Sequence, residues 1–304
     1  MKIKKLILAS PRGFCAGVER AVSTVEECLT KFGAPIFVNH EIVHNKFIVQ
    51  NFEKKGVIFT DNLEKIPNNS VYIFSAHGVN PEFRKEVKKK GLRVIDATCP
   101  LVQKVHSEAE NFAKNGFEIF YIGKANHQEF LGISGIAEIH LIENVEDAEN
   151  IDIKSFAKKR VVALSQTTLS QKDTSDIFEI LRGKFDEIMI PGDICYATQN
   201  RQNAIKVLAE KSDAVIVIGS QNSSNSNKLV EVAGKSCPAI LCEDFTEISE
   251  DFLNKEVVGI SSGASVPEIL VKQVINFFKE KNPEIVINTI NISQESVKFP
   301  LPQI

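Results

Sequence analysis

No stretch of this 304-residue sequence is apolar for long enough to cross a bilayer. The opening Met1-Lys2-Ile3-Lys4-Lys5-Leu6-Ile7-Leu8-Ala9-Ser10 has the basic start of a secretory leader, but its apolar run is short and passes straight on into the chain. Both absences predict a cytoplasmic protein with no membrane contact. Charge of one sign is also lacking: a formal net charge of −3, with 25% charged residues, excludes a nucleic-acid binder held by bulk charge. The compact Cys-x-x-Cys spacing of ferredoxins is missing as well, although the chain holds 6 cysteines. In a reducing cytosol that many thiols in so long a chain point to metal or catalysis, not to a disulfide framework. What remains is an ordinary globular composition, 43% hydrophobic, sufficient for two or three domains.

Three of the cysteines share a setting. Leu6-Ile7-Leu8-Ala9-Ser10-Pro11-Arg12-Gly13-Phe14-Cys15, Arg93-Val94-Ile95-Asp96-Ala97-Thr98-Cys99 and Glu187-Ile188-Met189-Ile190-Pro191-Gly192-Asp193-Ile194-Cys195 each read as a strand, a turn and the start of an amphipathic helix. Helix N-terminal amides favour the thiolate, the form that binds metal. After each cysteine the same order recurs: a helix, a buried strand ending in a polar cluster, a second strand with an acidic loop, and a third strand ending in another polar cluster. The repeat is too long for a solenoid and predicts an α/β fold of three pseudo-equivalent units with mainly parallel sheets. The units are expected at 14–96, 97–193 and 194–281 plus 1–13, the last because the third copy lacks a strand that Ile3–Leu8 would supply. Residues 282–304 form a tail to which the pattern gives no role.

In a parallel sheet, ligands bind beyond the carboxyl ends of the strands, and the chemistry-bearing residues fall there. Cys15, Cys99 and Cys195 occupy one register of the repeat, whereas Cys28, Cys237 and Cys242 have no counterparts and read as buried structural thiols. Three distant thiolates suit a zinc site or an iron–sulfur cluster assembled by the tertiary fold. His44, His77 and His127 sit on polar turns and together favour an anion site aided by helix N-termini. His106 and His140 lie within a helix and a strand and read as structural. Ser223-Ser224-Asn225-Ser226-Asn227 resembles a flexible linker, but it precedes a helix expected over 228–235, where hydroxyls and amides hold phosphate oxygens. Ser265 and Thr168 extend that reading. Glu129 is either a first-turn helix carboxylate or a proton donor beside His127. A competing motif is His40-Glu41-Ile42-Val43-His44, the H-E-x-x-H pattern of zinc hydrolases, although His40 would lie at the edge of a helix expected from about Ile42 to Lys55 rather than within it.

Taken together, the motifs Pro11–Val18, His40–Asn45, Ser75–Val79, Asp96–Pro100, Gln166–Ser170, Asp193–Thr198 and Asn222–Asn227 closely resemble the 4-hydroxy-3-methylbut-2-enyl diphosphate reductase family, over nearly the whole chain. The resemblance implies a trefoil of three α/β domains around a 4Fe-4S cluster with three cysteine ligands, Cys15, Cys99 and Cys195, and one open iron. It implies that His44, His77, His127, Ser223, Ser224, Asn225 and Ser265 surround a diphosphate. Glu129 would then relay protons, with Thr167 placing the substrate hydroxyl or a water. It further implies a small electron donor such as ferredoxin or flavodoxin, and reductive dehydroxylation of an allylic diphosphate. One departure from the family is visible: Asn126-His127-Gln128-Glu129 stands where Gly-His-Pro-Glu is usual, so the turn loses its glycine and proline. An iron–sulfur redox sensor without a substrate is the remaining alternative.

Overall fold

Runs of four to six apolar residues between turn signals form strands buried on both faces, as parallel strands covered by helices must be. In the computed structural model, which describes residues 3–156 and 159–304, these strands build three sheets whose pairings are all parallel. Met1 and Lys2, the start of the leader-like stretch, lie outside the described residues, as do Ala157 and Lys158 of the expected second unit. In chain order the elements are β1 (Lys5–Ser10), α1 (Ala16–Phe32), β2 (Ile36–Val38), α2 (Lys46–Lys54), β3 (Val57–Phe59), β4 (Val71–Phe74), α3 (Pro81–Lys89), β5 (Arg93–Asp96), α4 (Pro100–Lys114) and β6 (Phe117–Ile122). They continue with α5 (Gln128–Ile133), β7 (Ile139–Ile142), α6 (Val145–Glu149), β8 (Arg160–Ser165), α7 (Gln171–Lys184), β9 (Ile188–Met189), α8 (Tyr196–Glu210) and β10 (Ala214–Ile218). Last come α9 (Ser224–Ala233), β11 (Ala239–Cys242), α10 (Glu250–Leu253), β12 (Val257–Ser262), α11 (Glu268–Lys281) and β13 (Val286–Asn291).

The chain separates into two compact units. One comprises residues 1–18, 44–48 and 196–298, and the other 19–43, 49–195 and 299–304. The first holds a five-stranded sheet in the order β11-β10-β12-β1-β13. Here β1 lies between two strands from the far end of the sequence, with Leu6 opposite Val258 on one side and Ile287 on the other. Alternate residues of β1 serve opposite cores: Leu6 and Leu8 pack with Ile216, Val271 and Phe278, while Ile7 and Ala9 pack with Leu208, Val217 and Leu229. The tail is therefore not idle, since its first part is the edge strand β13.

The second unit holds two four-stranded sheets, β3-β2-β4-β5 and β7-β6-β8-β9. In the latter the same alternation sends Phe120 and Ala163 to one core and Tyr121 and Leu164 to the other. In every sheet the cysteine-bearing turn follows one strand, β1, β5 or β9, and polar turns follow the next two strands across the sheet, β12 and β10, β4 and β2, or β8 and β6.

Candidate functional site

Within the second unit, β5 delivers Cys99 to the first residue before α4, where Pro100 opens the helix and needs no hydrogen-bond partner for a missing N–H. The Cys99 amide donates to the Ala76 carbonyl at 3.0 Å, which ties this turn to the His77 turn after β4. That second turn is fixed by Asn39, whose Oδ1 accepts the Ser75 N–H at 2.7 Å. The imidazoles of His77 and His127 meet edge to face, with centroids 6.4 Å apart. His127 caps α5, its Nδ1 accepting the Glu129 N–H at 3.2 Å. Loss of the glycine and proline usual in this turn thus leaves a regular helix start, because an imidazole nitrogen takes the capping role.

Glu129, in the first turn of α5, is only 5% exposed. Its carboxylate accepts the Thr167 N–H at 2.9 Å and the Thr167 hydroxyl at 2.8 Å. Thr167 is joined in turn to the third cysteine of the repeat, since its carbonyl accepts the Cys195 N–H at 3.1 Å. Thr168 is engaged differently: its hydroxyl accepts from Gln166 Nε2 at 2.7 Å. Glu129 is therefore a first-turn helix carboxylate, and a buried one that accepts from a hydroxyl. The Tyr121 phenol lies close by, and burial, with the charges of Glu129 and Asp193, holds it protonated.

In the first unit, Cys15 follows β1 and its N–H donates to the Ala264 carbonyl at 3.2 Å. Ser265, one residue on, donates from Oγ to the His44 carbonyl at 2.9 Å. The polar run 223–227 is the start of α9, four residues before the expected helix, because Ser223 Oγ accepts the Ser226 N–H and supplies the cap. Ser224 and Asn225 consequently lie in the first helical turn. Close approach of this turn to the sheet demands glycine at two strand ends. A Cβ at Gly219 would lie 2.3 Å from Ser226 Oγ, and one at Gly263 only 2.1 Å from it. Asn225, 6% exposed, has neither amide atom hydrogen-bonded, and the hydroxyls of Ser261 and Ser262 on the adjoining β12 are likewise buried without partners. Buried polar groups are seldom left so, and a cluster of them at a helix start fits an anionic ligand.

The six thiols divide as the repeat suggested except for Cys237, expected to be buried but partly exposed just before β11. Cys15, Cys99 and Cys195 are partly exposed, Cys28 and Cys242 are buried, and none of the six is joined in a disulfide. Burial pushes the Cys28 thiol up to about 11 and the Cys242 thiol up to about 12, and raises Cys237 too. Those three stay protonated and poor as ligands. Each thiol of the repeat, partly exposed at a strand-to-helix turn, has the donor chemistry of an iron–sulfur ligand.

The zinc-hydrolase pattern does not take the form that motif needs. Residues 41–45 are irregular, α2 begins only at Lys46, and His40 has φ +50°, so His40 and His44 do not lie one helical turn apart on a helix face. Asn45 ends the irregular stretch, its Oδ1 accepting the Ile48 N–H at 3.0 Å at the start of α2. His140 is structural as expected, bonded to Glu118 at 2.9 Å. Sequence reasoning missed Asp193, whose carboxylate accepts the Ser165 N–H at 2.9 Å and whose burial raises its pKa, and it missed the arginines Arg20 and Arg201. Asp193 stood two residues before a cysteine in a quoted motif; nothing in the pattern marked the arginines.

A family model described as LytB protein matches residues 6–279. The chain is similar to the 4-hydroxy-3-methylbut-2-enyl diphosphate reductases of Nitrosomonas europaea, 45% identical over 98% of this chain and 96% of the relative, and of Streptomyces coelicolor, 46% identical over 99% and 90%. Among solved structures it resembles the E-1-hydroxy-2-methyl-but-2-enyl-4-diphosphate reductase from Plasmodium falciparum, with a TM-score of 0.95 at 39% identity, covering 99% of this chain and 96% of that one. A second structure, described as the terminal enzyme of the non-mevalonate pathway, matches with a TM-score of 0.67 at 31% identity, covering 91% of this chain and 100% of that one.

Proposed function

The chain belongs to the LytB family, and from that premise we propose that it removes the allylic hydroxyl of 4-hydroxy-3-methylbut-2-enyl diphosphate, the last step of the non-mevalonate isoprenoid pathway. Two electrons and two protons convert the alcohol to water and a mixture of isopentenyl and dimethylallyl diphosphate. Cys15, Cys99 and Cys195 are the ligands of the family's iron–sulfur group. When bound, that group supplies electrons singly and Lewis acidity toward an oxygen.

The chain's own residues bind, orient and move protons. The N-terminal turn of α9 with Ser223, Ser224 and Asn225, together with Ser265 and the histidines His44, His77 and His127, holds the diphosphate, whose oxygens accept from Asn225 Nδ2. Thr168 adds a hydroxyl to this set. Thr167 orients the substrate hydroxyl or a water, and Glu129 gives that oxygen the proton with which it leaves as water. Burial of Glu129 keeps bulk water from competing for that transfer. Delivery of single electrons calls for a small one-electron donor such as a ferredoxin or flavodoxin.

The observation that carries this reading is the hydrogen-bonded sequence Glu129–Thr167–Cys195, which links a buried carboxylate, a hydroxyl and a partly exposed thiol from three separate segments, the first turn of α5, the turn after β8 and the start of α8. Anaerobic purification with iron and sulfide analysis, followed by turnover of the allylic diphosphate with a reduced dye, tests it. Iron with turnover is expected. Zinc without iron sinks the reading, and iron without turnover favours a redox sensor.

A further inference from the structure

Each helix that follows one of the three cysteines carries a cation near its start, and each cation grips the turn that precedes the next cysteine. On α1, after Cys15, Arg20 is 9% exposed and donates from Nη1 to the Thr98 carbonyl at 3.0 Å and from Nη2 to the Asp96 carbonyl at 3.2 Å, immediately before Cys99. On α4, after Cys99, Lys104 donates to Asp193 Oδ1 at 3.5 Å, two residues before Cys195. On α8, after Cys195, Arg201 is 0% exposed. Its Nε and Nη2 donate to the Gly13 carbonyl at 3.2 and 2.7 Å, and Nη2 reaches the Phe14 carbonyl at 3.4 Å, immediately before Cys15.

A buried guanidinium persists only when its donors and its charge are met. For Arg201 the tail meets both: Glu295 accepts from Nη1 at 2.9 Å and from Nη2 at 3.3 Å, and Nη1 also donates to the Ala197 carbonyl at 3.0 Å. The tail reaches this point because β13 runs along the whole of β1 and the Ile292 N–H then donates to the Ser10 carbonyl at 3.0 Å. For Arg20 the tail supplies one backbone acceptor, the Pro300 carbonyl, at 2.8 Å from Nε. The peptide between Phe14 and Cys15 is held at both ends, its oxygen by Arg201 and its N–H by the Ala264 carbonyl. Glu295 neutralises Arg201, so the grip acts on Cys15 through geometry more than through charge.

We infer that Arg20, Lys104 and Arg201 are positioning residues for Cys99, Cys195 and Cys15 respectively, a cyclic assignment in which each cysteine's helix orients the next cysteine, with the tail locking Arg201 through Glu295. The inference rests on the reading of these cysteines as metal ligands. Partners that orient ligands from behind typically matter roughly 10–100-fold in metal affinity or activity. Lys104 is half-exposed and shares its charge with Glu108, so its grip is the weakest of the three.

The test uses the full-length protein with one substitution per cation: Glu295→Ala for Arg201, which avoids emptying a fully buried site, Arg20→Lys, which keeps the charge but loses the fork, and Lys104→Ala. After anaerobic reconstitution with iron and sulfide, release of iron to a chelator should quicken roughly 10–100-fold in the first two variants, and less in the third. In the metal-free chain, alkylation followed by peptide mass spectrometry should quicken at Cys15 alone in Glu295→Ala, at Cys99 alone in Arg20→Lys and at Cys195 alone in Lys104→Ala. Glu295→Asp should recover part of the wild-type rate. Unchanged alkylation in Glu295→Ala and Arg20→Lys overturns the assignment, and so does equal acceleration at all three cysteines, which marks a general loosening. If Cys15→Ser retains wild-type iron, the ligand reading fails by itself, and the pattern of alkylation still decides the grip.

Discussion

Glu129 accepts two hydrogen bonds from a single residue, the amide and the hydroxyl of Thr167, at 2.9 and 2.8 Å. The amide bond fixes the carboxylate whatever the side chain at 167, so the two residues can be separated by substitution. Glu129→Gln should keep its iron and its affinity for inorganic diphosphate while turnover falls by roughly 10²–10⁴, the usual worth of a general acid. Thr167→Val, which keeps the amide, should cost less. Glu129→Gln with Thr167→Val should be no slower than Glu129→Gln alone, because groups acting as one unit are not additive. Steady-state rates with a reduced dye measure all three, and near-wild-type turnover in Glu129→Gln removes it from the proton path.

The start of α9 touches the sheet where side chains would not fit. Gly263→Ala would set a methyl 2.1 Å from Ser226 Oγ, so the helix start must move or Ser226 must turn. Overpacking of this kind costs about 1–3 kcal/mol, seen as a lowered midpoint in urea. Inhibition of turnover by inorganic diphosphate should weaken in the same variant, since Asn225 rides on the displaced turn. Unaltered inhibition would detach α9 from the diphosphate.

Thiol reactivity should follow burial. Cys28 and Cys242 are 0% exposed and their thiols are pushed up to about 11 and about 12, so thiolate is scarce in both at pH 8. Metal-free native protein treated with a disulfide dye should show a fast phase at Cys15, Cys99 and Cys195, with Cys28 and Cys242 reacting only on unfolding. Peptide mapping after brief alkylation reads this directly, and early labelling of Cys242 would contradict it.

His106 supplies a pH dependence of stability. Its Nε2 is buried without a partner, and burial, helped by the charge of Arg84 against those of Asp96 and Glu110, lowers its pKa from 6.5 to about 4. A base whose folded pKa lies below its unfolded value contributes stability that is full above about 6.5 and is lost as pH falls toward 4, here up to roughly 3 kcal/mol. Urea unfolding at pH 7 and pH 4.5 should therefore show a smaller drop for His106→Gln than for wild type. The carboxylates titrate in both proteins and cancel in the difference.

The strands were legible because β4, β6, β8 and β10 are buried on both faces and so read as continuous apolar runs. Cys15, Cys99 and Cys195 stood out because a repeat assigns them one register. Where local signals compete, the pattern misled. Ile42 and Val43 looked like the first turn of a helix, yet both are buried in an irregular segment, and α2 starts where Asn45 can cap it. Ser223 to Asn227 looked like a linker, because small polar residues at a helix start and in a flexible loop are the same residues. Arg20 and Arg201 carried no signal at all: an arginine on an amphipathic helix reads as solvent-exposed, and only the tertiary turn behind each shows why it is inside.

The placement of β1 between β12 and β13 has a consequence for synthesis. A chain leaves the ribosome from its N-terminus, so β1 is made about 250 residues before its two neighbours, β12 and β13. Residues 19–195 contain both four-stranded sheets and can pair their strands while synthesis continues. Until residues 257–291 follow, β1 has two bare edges and the Cys15 turn has neither the Ala264 carbonyl nor Glu295 to hold it. Ordering of the Cys15 turn must then wait until residues 257–295 have emerged, and up to that point β1 is a strand with both edges open to pairing with another chain.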